Sequence, residues 1–399
     1  MRLAGTSPAA AGVRPFAAVS LAYFAFAGLF GTYAPLWYQS LGYTTLAIGT
    51  LTSMQSATRI FAPYAWGWWA DHSGRREALL RLAAAGSLVA SLGFYVAPGY
   101  AWIAGVSVVL YLCTAGVVPI SEAALAHRVT VEGRVDIARY GRVRLWGSLG
   151  FIGAVTASGF VLQATGVGRF PLLCTALLAL LLAAVWRLPE HREPAQASAE
   201  APGALAVLRR PVVAWFFAGI FLTVLAHTAL YVFYSLDLAS LGYGKGAIGL
   251  FWAIGVAAEV AWFLFQGSWV HRFSMHVWLV IAALASALRF ALIAAFADYS
   301  AVLVAAQVLH ALTFAAQHSA CITLIARYFP GRLRGRGQAL YTVLGYGISG
   351  VVGGVAGGAL SERFGFAAVF WAASVVSLVS ALVCWRTLAL ERRALAGSS

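Results

Sequence analysis

The sequence predicts an all-α membrane protein of twelve transmembrane helices in two pseudo-symmetric halves of six. Three observations predict it. Of 399 residues, 61% are hydrophobic and only 10% charged, with mean hydropathy +0.82; a water-facing domain carries about 25% charged residues. Apolar runs of the roughly 20 residues that cross a bilayer recur from end to end. The text of the first half also returns in the second at a constant offset of 200 residues.

The apolar runs place spans at 16–39, 46–69, 77–97, 101–124, 143–166 and 170–187. The second set is 211–236, 246–269, 275–297, 301–324, 338–360 and 366–388. The first run follows Arg2 and Arg14 and is longer than a signal-peptide core, so it is expected to stay attached. A net charge of +14 raises the question of a nucleic-acid partner, and its distribution argues against one. With the N-terminus inside, the outer loops hold only Arg169, Lys245 and Arg363. Arg59 and Arg289 lie within spans, and every other Lys and Arg falls on the inner side. That asymmetry is the positive-inside rule. It predicts both termini on the cytoplasmic side of a bacterial-type inner membrane. Cys113, Cys174, Cys321 and Cys384 stand singly in apolar runs, without the spacing of a disulfide framework or metal site.

Residues 188–210 carry three prolines and three glutamates. They read as a cytoplasmic linker between halves at 1–187 and 211–399. The repeat supports the division. Ser40-Leu41-Gly42-Tyr43 returns as Ser240-Leu241-Gly242-Tyr243, and Ala47-Ile48-Gly49 as Ala247-Ile248-Gly249. Gly147, Gly150 and Gly153 return as Gly347, Gly350 and Gly353. Gly350, Gly354 and Gly358 follow at four-residue spacing in the eleventh span, the pattern of close helix packing in lipid.

Between spans 2 and 3, Gly67-Trp68-Trp69-Ala70-Asp71-His72-Ser73-Gly74-Arg75-Arg76 fits G-x-x-x-D-x-x-G-R-R. It resembles the signature loop of the major facilitator superfamily. The residues make sense on their own terms as a gate. Gly67 allows two helices to approach, and Gly74 allows a tight turn. Asp71 faces a helix N-terminus or an arginine, and Arg75 and Arg76 hold the loop on the inner side. The second copy has His271 in place of Asp71.

Charged residues inside a span cost roughly 2.5–3.5 kcal/mol on insertion scales and are functional hypotheses by default. Deep within the spans these are Arg59, Glu122, Glu259 and Arg289, with Arg144 at the start of the fifth. The tenth span adds Gln307, His310, Thr313, Gln317 and His318, clustered on one helical face. Glu259 stands mid-span with nothing polar beside it, and the repeat offset sets it against Arg59. Arg59 and Arg289 read equally well as structural counter-ions.

Ser121-Glu122-Ala123, Tyr140-Gly141-Arg142-Val143-Arg144-Leu145-Trp146-Gly147, Leu309-His310, Arg289 and Glu259 resemble the lactose-permease family of proton symporters. The resemblance implies that Glu122 and Arg144 bind substrate and that Glu259 couples it to a proton, with His310 and Arg289 tuning the step. Three departures stand out: Thr313 replaces that family's proton-carrying acid, Gln307 its lysine, and Phe151 the aromatic that stacks on sugar. His227 with Tyr231, Phe233 and Tyr234, then Ala258-Glu259-Val260, and Gln307 to Phe314 look closer to the phenylpropionate-permease branch.

The expected function is proton symport of an aromatic monocarboxylate by alternating access. Arg59, Gln307, His318 and Trp252 join Glu122 and Arg144 at the substrate, and Trp37, Tyr231 and Tyr234 are further aromatics able to hold a ring. A sugar or nucleoside symporter is the alternative within the fold; a drug–proton antiporter and a transporter-like receptor are the others. No nucleophile elbow, phosphate-cradling loop or H-E-x-x-H supports an enzyme. The expected partners are the lipid bilayer and a small molecule, with no cofactor beyond the coupling proton, and the chain is expected to act as a monomer.

Overall fold

The computed structural model describes residues 13–131, 134–189 and 204–396. Among these, the first six long helices are α1 (Arg14–Ser40), α2 (Thr45–Ser73), α3 (Arg76–Tyr95), α4 (Tyr100–Ala126), α5 (Ile137–Thr165) and α6 (Val167–Trp186). The second six are α7 (Pro211–Ser240), α8 (Lys245–Phe265), α9 (Met275–Phe296), α10 (Ser300–Tyr328), α11 (Arg334–Phe364) and α12 (Phe366–Ala396). Eleven of the twelve are long and apolar enough to cross a membrane; α2, with Gln55, Arg59 and a series of Ser and Thr, is the exception. Large apolar side chains such as Val89, Leu264, Leu382 and Trp385 stand more than 60% exposed. A water-soluble monomer rarely spreads such surface so widely, whereas lipid accepts it.

Two details depart from the expected outline. α5 starts six residues early because Asp136 caps it, its carboxylate accepting the Arg139 backbone N–H at 3.0 Å. Before it, β1 (Thr130–Val131) and β2 (Arg134–Val135) pair antiparallel, a small exception to an all-α chain. Of the expected linker 188–210, residues 190–203 lie outside the described residues. After them comes a short helix, Ala204–Leu208.

The recurring Ser-Leu-Gly-Tyr has a structural cause. Gly42 and Gly242 sit at φ +85° and +88°, past the ends of α1 and α7. Tyr43 N–H bonds the Tyr38 carbonyl and Gly42 N–H that of Gln39; Tyr243 and Gly242 do the same to Leu238 and Ala239. This is the six-to-one and five-to-two pattern of a Schellman cap, which needs a left-handed residue at the glycine.

The helices form two compact units, Met1–Ala34 with Phe61–Ser198, and Pro35–Ile60 with Ala199–Ser399. In the first, α3 packs on α4 and α6, and Tyr33 on α1 donates to the Val155 carbonyl at 2.6 Å. In the second, α12 lies against α7 and α9. Ser380 bonds Thr223 at 2.8 Å and Ser374 donates to the Ala287 carbonyl at 2.8 Å. The α11 glycine stripe packs on the first half of α2. A side chain at Gly350 would strike Ser56, one at Gly354 would strike Ser53 and Gly49, and one at Gly358 would strike Thr45 and Leu46. Ser53 donates to the Val351 carbonyl at 3.0 Å and Leu46 N–H to Glu362 at 3.2 Å. This contact is the packing expected of that spacing.

Candidate functional site

Polar side chains gather at one place in each unit. In the second, α9 delivers Arg289 into the protein interior, 0% exposed. Its Nη1 bonds His310 Nδ1 at 2.9 Å and Thr313 Oγ1 at 3.0 Å, and its Nη2 donates to Gln307 Oε1 at 2.8 Å. The three partners all come from α10. Thr313 lies in a local π-helical stretch, Ala311–Ala316, one of three among the described residues of this unit, with Ala229–Phe233 in α7 and Tyr341–Ile348 in α11. None occurs among the described residues of the first unit. Such wide turns cost backbone geometry and recur at functional sites.

The guanidinium fixes the histidine. Arginine only donates, so His310 Nδ1 must be the bare, accepting nitrogen, and in the neutral ring Nε2 carries the hydrogen. Nε2 faces Glu259 Oε2 on α8 at 3.8 Å. The order is therefore Arg289, His310, Glu259. A second proton cannot enter at Nδ1 while Arg289 holds it. One turn before Glu259, α8 has Gly255, where any Cβ would sit 2.9 Å from Gln307 Oε1.

Around this line, Phe314 stacks between His310 and His318, at ring separations of 5.2 and 6.0 Å. The half-buried His318 meets the Tyr341 hydroxyl at 3.2 Å, which meets that of Tyr346 at 3.2 Å. Arg59 is exposed on α2; it and Glu259 both act electrostatically on the Tyr231 and Tyr346 hydroxyls. Other residues expected at a substrate are taken up inside. Gln307 is buried with its oxygen on Arg289, and Trp252 is buried with its indole N–H on Ser235 at 3.0 Å. Trp37 and Tyr234 are buried as well, and Tyr231 is half-buried. Gln317 turns to Cys321 at 3.4 Å rather than to Arg289.

In the first unit, Arg144 Nη1 on α5 lies 3.5 Å from Glu122 Oε1 on α4, with side chains 53% and 36% exposed. Both line a narrow cleft of ≈ 30 Å³ with Phe16, Tyr23 and Phe24 of α1. Tyr23 and Phe24 stand edge to face, 5.3 Å apart. Tyr140, one turn before Arg144, interacts electrostatically with both charged partners. The sequence reading gave no role to Tyr140, Phe16, Tyr23 or Phe24; the i, i+4 spacing of Tyr140 and Arg144 was the available signal.

At the signature loop, Asp71 Oδ1 pairs with Arg76 Nη2 at 3.0 Å, where α3 begins. Gly74 has φ +62°, the tight turn expected of it, and Arg75 is exposed. Gly67 requires a correction: a side chain there would meet nothing within 4 Å. The close approach near it falls instead at Gly116 of α4, against Trp66.

A family model described as the MFS_1 like family matches residues 16–372. The chain belongs to that family. It is thus a secondary transporter of the major facilitator type, as the signature loop and the internal repeat implied. It is 28% identical over 365 residues to the probable 3-phenylpropionic acid transporter of Escherichia coli (strain K12), covering 90% of this chain and 94% of that one. It is 28% identical over 392 residues to the maltose permease of Geobacillus stearothermophilus, covering 94% of each. The fold also matches the crystal structure of the nucleoside transporter NupG, with TM-score 0.82 and 17% identity over 94% of this chain and 98% of that one.

Proposed function

We propose that this family member is a proton-coupled symporter that imports an aromatic monocarboxylate by alternating access, with both termini cytoplasmic. The observation that carries the coupling is the Arg289 bond to His310 Nδ1, which leaves Nε2–H directed at Glu259. Glu259 is then the group placed to take a proton. Doing so removes a charge from a partly buried place. His310 transmits the change to Arg289, whose hold on α10 differs between the two charge states. A proton site whose affinity depends on conformation is what coupling requires.

Substrate class follows from the other cleft. Arg144 offers a planar fork suited to a carboxylate, its pairing with Glu122 is long and half-exposed, and Tyr23 and Phe24 supply an aromatic wall. The similarity to a probable 3-phenylpropionic acid transporter supports the same reading. The maltose permease relative keeps a sugar as the second reading.

Proteoliposomes test it. Under an imposed gradient, acid outside, labelled 3-phenylpropionate should accumulate saturably, and maltose and a nucleoside should neither accumulate nor compete. Accumulation of maltose or the nucleoside without the acid overturns the substrate class. Acid uptake indifferent to the gradient overturns the coupling.

A further inference from the structure

Four buried polar atoms of the second unit have no hydrogen-bond partner among the described residues: His227 Nε2, the Tyr234 hydroxyl, Arg289 Nε and Gln307 Nε2. Their side chains are 3%, 0%, 0% and 1% exposed. Buried polar groups are almost always satisfied, so four together in one place ask for an explanation. They do belong together. Arg289 Nη2 holds Gln307 Oε1, and the Nε–H of a guanidinium points from the same edge as Nη2. Tyr234 approaches the Gln307 amide without a bond of normal geometry, and His227 and Tyr234 both feel the Arg289 charge.

The donors and acceptors can be assigned. His227 Nδ1 lies 2.8 Å from the Thr223 carbonyl, which only accepts, so Nδ1 carries the hydrogen and Nε2 is a bare acceptor. Gln307 turns its oxygen to Arg289, so its amide nitrogen is a donor. Arg289 Nε donates, and Tyr234 can do either. The set is thus two donors, one acceptor and one hydroxyl. An anion satisfies donors only and would leave His227 Nε2 facing a lone pair. Water satisfies both kinds, and internal waters with about three such partners are part of many folds.

We propose that ordered water occupies the space among these four groups, and that through it His227 is a positioning residue for Arg289. The second clause rests on the proton line argued above. If His310 or Glu259 changes charge, Arg289 must be able to loosen from Nδ1 without losing its place. Water joining its Nε–H to His227 on α7 holds the edge of the guanidinium that His310 does not use.

The full-length transporter, its structure determined in bromide instead of chloride, tests the first clause. Non-protein density within hydrogen-bond distance of His227 Nε2 and Arg289 Nε, without anomalous bromide signal, is expected. A bromide peak there, or direct side-chain closure over both atoms, overturns it. For the second clause, two variants are compared in proteoliposomes. His227→Gln keeps an acceptor near the Nε2 position and should retain gradient-driven accumulation. His227→Leu should lose about tenfold, the weight of one hydrogen bond to a charged group, while substrate exchange persists in both and certifies folding. Equal accumulation by the two variants makes His227 a volume filler and overturns positioning. Should Glu259→Gln still accumulate substrate while the water density stands, the proton line fails and the water site survives.

Discussion

The two halves use arginine in opposite ways. Arg144 stands half-exposed in an open cleft, with Glu122 3.5 Å away. Arg289 is fully buried and held by His310, Thr313 and Gln307, three neutral partners on one helix. Water or a ligand can compensate the first charge, so its partner can change at little cost. The second is enclosed, and bulk solvent cannot replace its side-chain partners. A buried ion is tolerable only when its hydrogen bonds are nearly complete. The halves are repeats in text, but one leaves an arginine half-exposed in a cleft and the other locks one into the scaffold.

The largest effect should come from breaking the lock. Arg289→Ala strands His310 Nδ1, Thr313 and Gln307 Oε1, and each buried polar group left unsatisfied costs about 1–3 kcal/mol. Arg144→Ala should change stability by less than about 1 kcal/mol, as at other exposed pairs. Thermal unfolding of both variants in detergent measures the difference. Similar melting temperatures for the two would erase the contrast.

Next is the division of labour along the proton line. Glu259→Gln should abolish accumulation driven by a pH gradient and leave substrate-for-substrate exchange, which transfers no net proton. Parallel uptake and exchange assays decide. If Glu259→Gln still concentrates substrate while His310→Gln does not, the proton belongs to α10, and Arg289 must release Nδ1 in the cycle.

A smaller effect sharpens the other arm. Arg144→Lys keeps the charge and loses the planar fork, which an ammonium does not replace. Substrate affinity should fall about tenfold, near the loss of one charge-assisted bond. Equilibrium binding of the acid to detergent-solubilised protein gives the number. Unchanged affinity would make Arg144 an interfacial side chain reaching for water.

Much of this was legible in the sequence, for reasons that can be named. Lipid imposes spans of fixed length, so the helices were readable from apolar runs. Charges inside those runs are costly, so Arg289, Glu259, Glu122 and Arg144 stood out by type alone. Their partners were less legible. The α10 polar residues read as one face, but only Gln307, His310 and Thr313 reach Arg289; Gln317, just past the π-helical stretch Ala311–Ala316, turns to Cys321. Trp252 looked available for a ligand because a sequence does not reveal that Ser235 has claimed its N–H. The glycine repeat was legible as packing but not as partner choice. Gly150 packs on Leu21 of α1, whereas Gly350 packs on Ser56 of α2.

The smallest expected effect tests the oldest asymmetry in the text, Asp71 against His271. Asp71 pairs with Arg76 at 3.0 Å, the carboxylate 41% and the arginine 13% exposed. It sits in the last turn of α2 and reaches across the loop to Arg76, the first residue of α3. The interaction weighs little on folding: an exposed pair contributes about 0–1 kcal/mol. A gate, however, must form and break in every cycle, and a change of that size in one state alters a rate by up to about fivefold. Asp71→Asn keeps shape and hydrogen-bonding capacity and removes the charge. It should therefore slow transport several-fold while substrate affinity and melting temperature stay at native values. Initial uptake rates, read beside equilibrium binding, separate the two. Transport at the native rate would mean that the loop works through the Gly74 turn alone, and that His271 marks no functional difference between the halves.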